Sequence, residues 1–190
     1  MTPMNEKIHP TAILTNCTLW DGVSIGPFCM ISDTTLGDNV TIEGNVRIQK
    51  SDIGNNCEIL WWSIIRDSSL GEWCIIGCEV KKSHLGKHNK AKHPGTNIVS
   101  TTSGEKVNFW GGFKCANYDG TGKGNFIIGN NVFLWCNSVL SVKASKTTTL
   151  HDGVKIGANI HIGQDIPANS LVYSDRESGK LVVRERYYEK

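Results

Sequence analysis

The sequence predicts an all-β fold in which three short strands make one coil and successive coils stack into a parallel β-helix. One pattern recurs as LWDGVSI from Leu19, LGDNVTI from Leu36, IGNNCEI from Ile53 and LGEWCII from Leu70, each start 17 residues after the last. Both ends of every copy are aliphatic and six residues apart. A second series, Ile25 to Ile31, Ile42 to Ile48 and Ile59 to Ile65, continues that step. Two steps of six and one of five complete the period. Apolar residues on a helix return at three and four, so the spacing rejects a helix; it also fails to fit a hairpin meander. A turn after each short strand satisfies it, and one aliphatic side chain per strand then points down the axis to build a continuous core.

Residues 1 to 7 are polar and read as a loose lead-in. Ile8 and Ile13 begin the stack, with Pro10 at a corner where a missing donor does little harm. Coils follow to about residue 92, their corners marked by glycines such as Gly22, Gly37, Gly54 and Gly71. A further copy, LGKHNKA from Leu85, arrives after only 15 residues, and the spacing predicts a broken register there. Phe28, Trp62 and Trp73 share one slot of the frame and are expected to point outward as a row that marks a subunit interface. From 92 to 126 the repeat almost vanishes and a loop-rich insertion is expected, a usual place for functional residues on a rigid scaffold. The repeat returns as IIGNNVFL from Ile127, is interrupted by KASKTTT, and resumes as LHDGVKIGANIHI from Leu150. Two strand-like runs over about 171–186 are expected to form a hairpin that covers the last coil. The whole chain, 1–190, reads as a single domain.

Composition excludes more than it identifies. A net charge of +2 and a pI near 8.1 give no reason to expect a nucleic-acid partner. No apolar run approaches the roughly 18 residues of a membrane span, and MTPMNEKIH has no secretion-signal pattern; a cytoplasmic location is expected. The seven cysteines contain no CxxC pair. Cys17, Cys29, Cys57 and Cys74 occupy the slot that Val23, Val40, Val46, Ser63 and Val80 hold elsewhere, so they read as small core fillers. Metal binding is not expected of them.

Two readings of the histidines stay open on residues alone. His88 and His93, spaced as HNKAKH, form a conceivable zinc pair that lacks a third ligand. Alternatively His93 is a general base beside Asn108, Asn117 and Tyr118, since a neutral imidazole near pH 7 accepts a proton from an attacking amine. NYDGTGKGN is a turn by composition, and it lacks the glycine spacing of a P-loop.

The six-residue repeats resemble the hexapeptide-repeat acyltransferases. Within that family, EVKKSHLGKHNKAKH, VNFWGG, CANYDGTGK, IIGNNVF and DGVKIGANIHIGQDIP are similar to the acetyltransferase part of the bifunctional enzymes that acetylate glucosamine 1-phosphate and then uridylylate it. The resemblance implies a left-handed β-helix, a homotrimer, acetyl-CoA as co-substrate and an amino sugar, free, phosphorylated or nucleotide-linked, as acceptor. By position it implies His93 as catalytic base, with Asn117 also at the active site. It further implies Arg66, Lys81, Asn108 and Lys123 as substrate contacts, and Tyr118, Trp135, Cys136 and Ala158 around the cofactor. Thr96 stands where the family keeps a tyrosine, and Trp135 and Cys136 replace a Gly-Ser pair. Uridylyl transfer is not expected, because no glycine-rich nucleotide loop is present. The HNKAKH spacing also resembles the gamma-class carbonic anhydrases, which implies a zinc enzyme as the alternative. A catalytically silent trimeric scaffold is the third reading.

Overall fold

A computed structural model describes residues 7–185. The chain winds as a three-sided parallel β-helix, and its strands fall into three sheets that form the faces. Among the described residues, face 1 has nine strands from Ile13–Thr15 to His161–Ile162, and face 2 has eight from Thr18–Leu19 to Thr147–Leu150. Face 3 has ten, beginning at Ser24–Ile25. Every pairing between coils is parallel and in register, as in Ile31↔Ile48, Leu36↔Ile53 and Ile42↔Ile59. The columns expected from the six-residue step are the core: Ile25, Ile42, Ile59 and Ile76 on face 3, and Ile31, Ile48, Ile65 and Val80 on face 1, are all buried. Each isoleucine contributes about 2 kcal/mol by leaving water.

The corners need left-handed backbone, and the sequence supplies it with more than glycine. Asn39, Asn56, Trp73, His88 and Lys106 stack at the corner between faces 2 and 3 with φ of 56°, 57°, 61°, 59° and 57°. Phe28 and Trp62 do the same at the corner between faces 3 and 1, with φ of 58° and 68°. All three aromatics point outward as expected, yet they form no single row, because Trp73 belongs to another corner. Glycine is required where coils touch directly. A Cβ on Gly71 would lie 2.7 Å from the carbonyl carbon of Gly86.

At the corner between faces 1 and 2 the inward slot holds hydroxyls. Thr34, Ser51, Ser68, Ser83 and Thr101 are buried there, and each donates to the carbonyl two residues earlier, at 2.7–3.0 Å. The Ser83 hydroxyl also accepts from the Thr101 N–H at 3.1 Å. Such pairing removes the cost of burying them. Cys29, Cys57 and Cys74 are buried fillers, as expected, and Cys17 is half-buried.

Two expectations are corrected. The 15-residue step does not break the register: Ile64 still pairs with Glu79 and Ser69 with His84. The missing pair of residues comes out of the corner between faces 3 and 1, so the strands are untouched. Within 92–126 the coil also continues, through Asn97–Val99, Thr101–Ser103, Asn108–Phe109 and Lys114–Ala116. Its inward positions there hold Thr96, Thr101, Ser103, Phe109 and Phe113, which hides the aliphatic pattern. The true excursion is 117–124, and a second occupies 142–146.

The last coil is covered by an antiparallel pair, Ser170–Ser174 with Leu181–Glu185. Position 186 of the expected hairpin, and positions 1–6 of the expected lead-in, lie outside the described residues. No helix among the described residues is long and apolar enough to cross a membrane.

Candidate active site

Face 1 gathers three of the expected residues around one cavity. Lys81 ends the strand Glu79–Lys81, Asn117 opens the excursion, and Lys123 closes it, yet all three line a cavity of about 260 Å³ together with Lys82 and Glu79. Asn117 is oriented by donating from Nδ2 to the Ser100 hydroxyl at 2.9 Å. Cys115 also lines this cavity; burial pushes its thiol up to about 11, so it stays protonated at neutral pH and is no thiolate nucleophile. Three ammonium groups around a small polar cavity suit an anionic group such as phosphate.

Arg66 lies directly beside Lys81 in the register of the preceding coil. Its guanidinium donates to the Glu79 carboxylate at 3.4 Å, and Asn97 Nδ2 donates to the other Glu79 oxygen at 2.9 Å. The Arg66 charge is therefore partly answered within the chain. Glu79 is a residue that the sequence reading missed. Its signal was present: it is a carboxylate at an outward strand position, one buried valine before two lysines, where a bare lysine cluster would repel itself.

His93 lies at the corner between faces 3 and 1, one coil from the two-residue shortening, and that corner is one residue longer than the regular six-residue step. Pro94 and Gly95 follow it, with Gly95 at φ 81°. Lys114 ties the corner down by donating to the Gly95 carbonyl at 2.7 Å. The His93 side chain is exposed and packs on Trp110, ring centroids 5.9 Å apart. A second cavity of about 330 Å³, lined by Pro94, Gly95, Glu79 and Asn97, leads from this corner toward the lysine cavity. Thr96, where a tyrosine was expected, lines this second cavity but is itself buried, and its hydroxyl donates to the Trp110 carbonyl at 3.1 Å.

Asn108 falls elsewhere, on face 3, between Lys90 and Phe133 in register. Trp135, Cys136 and Ala158 rise above His93 along the same corner, since Asn137 bonds back to Gly111 and Asn159 to Cys136. Trp135 and Ala158 line an apolar groove of about 520 Å³ with Phe133, Lys155, Ile156, Gly157 and Leu171. That groove has the size and lining of a small-molecule site. Tyr118 lies in the excursion, 61% exposed, its hydroxyl donating to Gly120 at 2.9 Å. One chain therefore brings together the lysine cavity and separately the corner and groove, and leaves Asn108 and Tyr118 outside both.

His88 and His93 do not converge. They sit at opposite corners of face 3, His88 stacked on Trp73 and His93 on Trp110. Among the described residues no cluster of three metal-ligating side chains occurs.

No family model matches the chain. It is similar to the proteins described as bifunctional protein GlmU from Streptococcus mutans serotype c, 38% identical over 112 residues, and from Caldicellulosiruptor saccharolyticus, 35% identical over 135 residues. These alignments cover 59% and 65% of this chain and 23% and 27% of those proteins, so the chain spans about a quarter of the length of the curated relatives it matches. Among solved structures, LpxA from Acinetobacter baumannii superposes with a TM-score of 0.76 at 20% identity, over 94% of this chain and 74% of that one. UDP-N-acetylglucosamine acyltransferase from Francisella novicida gives 0.74 at 20% identity, over 93% and 69%. The fold is the parallel β-helix that the repeats predicted, with the left hand that the resemblance implied.

Proposed function

We propose that this protein is a CoA-dependent N-acetyltransferase whose acceptor is an amino sugar carrying an anionic group. One observation supports this most directly: Lys81 lines a single cavity on face 1 with Asn117 and Lys123, which lie some 36 and 42 residues further on. The similarity to the GlmU proteins over more than half of this chain supports the acetyl-transfer chemistry.

In this reading the acceptor's phosphate lies among Lys81, Lys82 and Lys123, with Arg66 close by. Acetyl-CoA lies along the groove past Trp135 and Ala158. The amine nitrogen attacks the thioester carbonyl while His93 takes its proton; the carbon–sulfur bond then breaks, and the thiolate leaves as the free thiol after taking a proton back. Asn117, held by Ser100, positions the acceptor. Asn108 and Tyr118 join the site from a second copy, because they share no cavity with the lysines in one chain. A homotrimer supplies that arrangement, and the exposed Phe28, Met30, Trp62 and Ile64 at one corner are apolar surface for its interface.

The test is release of free thiol from acetyl-CoA with a panel of amino sugars, their 1-phosphates and their nucleotide conjugates. Turnover with a phosphorylated or nucleotide-linked amino sugar, above that with the neutral sugar, is expected. No thiol release across the panel rejects the reading.

A further inference from the structure

His93 differs from most other histidines of the chain in how its ring is held. The rings of His9, His84 and His161 each meet a hydroxyl, at 2.9, 2.8 and 2.7 Å. Among the described residues no such partner reaches His93. A catalytic base is ordinarily oriented by a third group, and here the group in contact is an indole. The Trp110 ring lies 5.9 Å from the imidazole at an interplanar angle of 40°. Beneath the imidazole is Gly111, whose hydrogen leaves room: a Cβ there would come within 3.3 Å of the His93 Cβ.

Trp110 is itself fixed. Its indole stacks on Trp135 at 6.2 Å and 16°, and meets Phe133 at 6.0 Å, while Phe133 and Trp135 touch edge to face at 5.8 Å. The backbone of Trp110 is locked in the face 3 ladder by its N–H to Leu134, 2.9 Å. These rings sit outside the wall of the β-helix, where Trp110 is 43% and Trp135 51% exposed. The fold gains little core from them, and their common effect is a rigid wall that ends at His93.

We infer that Trp110 is a positioning residue, which holds the His93 imidazole toward the acceptor amine. The inference rests on His93 being the base. Its distinct content is that an aromatic wall takes the place of a polar group in orienting the ring.

The experiment compares the full chain with Trp110→Ala, Trp110→Phe and His93→Ala, reading kcat, both KM values and the ring-proton NMR signals of His93. Trp110→Ala is expected to move the His93 ring protons toward the positions of an unstacked imidazole. It is expected to lower kcat about 10- to 100-fold, the cost of a small misplacement, with both KM values within about twofold. Trp110→Phe, which keeps a ring, restores both readouts to near the parent. Unmoved His93 signals in Trp110→Ala, unchanged kcat, or a raised KM with unchanged kcat each overturn the inference. If His93→Ala is inactive while Trp110→Ala turns over normally, only this inference fails. If His93→Ala is fully active, the assignment of the base fails and the inference falls with it. Should Trp110→Ala not fold, loss of the His93 shift and of turnover in Trp110→Phe overturns the claim that a ring suffices, and retention of both upholds it.

Discussion

The carboxylate of Asp119 accepts a hydrogen bond from the N–H of Ala144 at 2.7 Å, across 25 residues of sequence. This bond joins the two excursions of the chain, and Asp119 also receives the Thr121 hydroxyl and the N–H groups of Thr121 and Gly122. The four donors, that of Ala144 foremost, hold its carboxyl well below the usual carboxylate range. A lowered folded value means that the clamp has full strength above the unfolded value of about 3.9 and weakens only as pH falls toward the folded one. Asp119→Ala is expected to abolish hydrogen-exchange protection at Ala144 and Gly122 at pH 7, leaving the coils protected. The parent is expected to lose the same protection only in acid below about pH 4. Equal protection in parent and variant at pH 7 contradicts the clamp.

His93→Ala is expected to lower turnover by about 10² to 10⁴ without loss of fold, since the side chain is exposed at a corner. Steady-state kinetics with acetyl-CoA decide it. Parent-level turnover removes His93 from the chemistry.

Lys81→Ala and Lys123→Ala are expected to raise KM for a phosphorylated acceptor about tenfold each, the scale of one charge-assisted hydrogen bond. For the unphosphorylated sugar the change is expected to stay within about twofold. A matched rise for both acceptors shows that the lysines hold something other than the phosphate.

Asn89 is a stability prediction. It is fully buried in a column otherwise filled by Val23, Val40, Cys57 and Cys74, and it satisfies itself completely. Its Nδ2 donates to the Ser103 hydroxyl at 2.8 Å and the Gly104 carbonyl at 3.0 Å, and its Oδ1 accepts from the Val107 N–H at 2.6 Å. Asn89→Ala strands these groups in the core and is expected to cost about 3 kcal/mol, read from the shift of a urea unfolding midpoint. A loss under about 1 kcal/mol contradicts the role.

The coils from Leu19 to Ile76 were legible because each inward slot is aliphatic and each corner repeats its length. Legibility failed after Gly77 for two separate reasons. Corner lengths change there while the strands stay aligned, so a fixed period no longer finds them. The inward slots then switch to Thr101, Ser103, Phe109 and Phe113, which carry no aliphatic signature: the Thr101 hydroxyl donates to the Val99 carbonyl, the Ser103 hydroxyl accepts from Asn89, and the two phenylalanine rings pack on each other. At the candidate site, Lys81 and Lys123 were found through resemblance and Asn117 from the residues as well, and the structure brings all three to one cavity. Glu79 and Trp110 were missed, because their significance lies in partners on other coils: Asn97 for the one, His93 for the other. Spacing along a chain does not reveal neighbours one coil away once the period varies.

The backbone hydrogen bonds of this scaffold run mainly from one coil to the next. Lengthening or trimming a bend therefore leaves the pairing of every strand intact, as the trimmed bend after Ile76 and the extended one after Ala91 illustrate. The architecture separates durability from chemistry: the walls are held by the ladder, while the rims can be resized independently. A lineage built this way can exchange one acceptor for another by editing bends alone, with its folding free energy scarcely consulted.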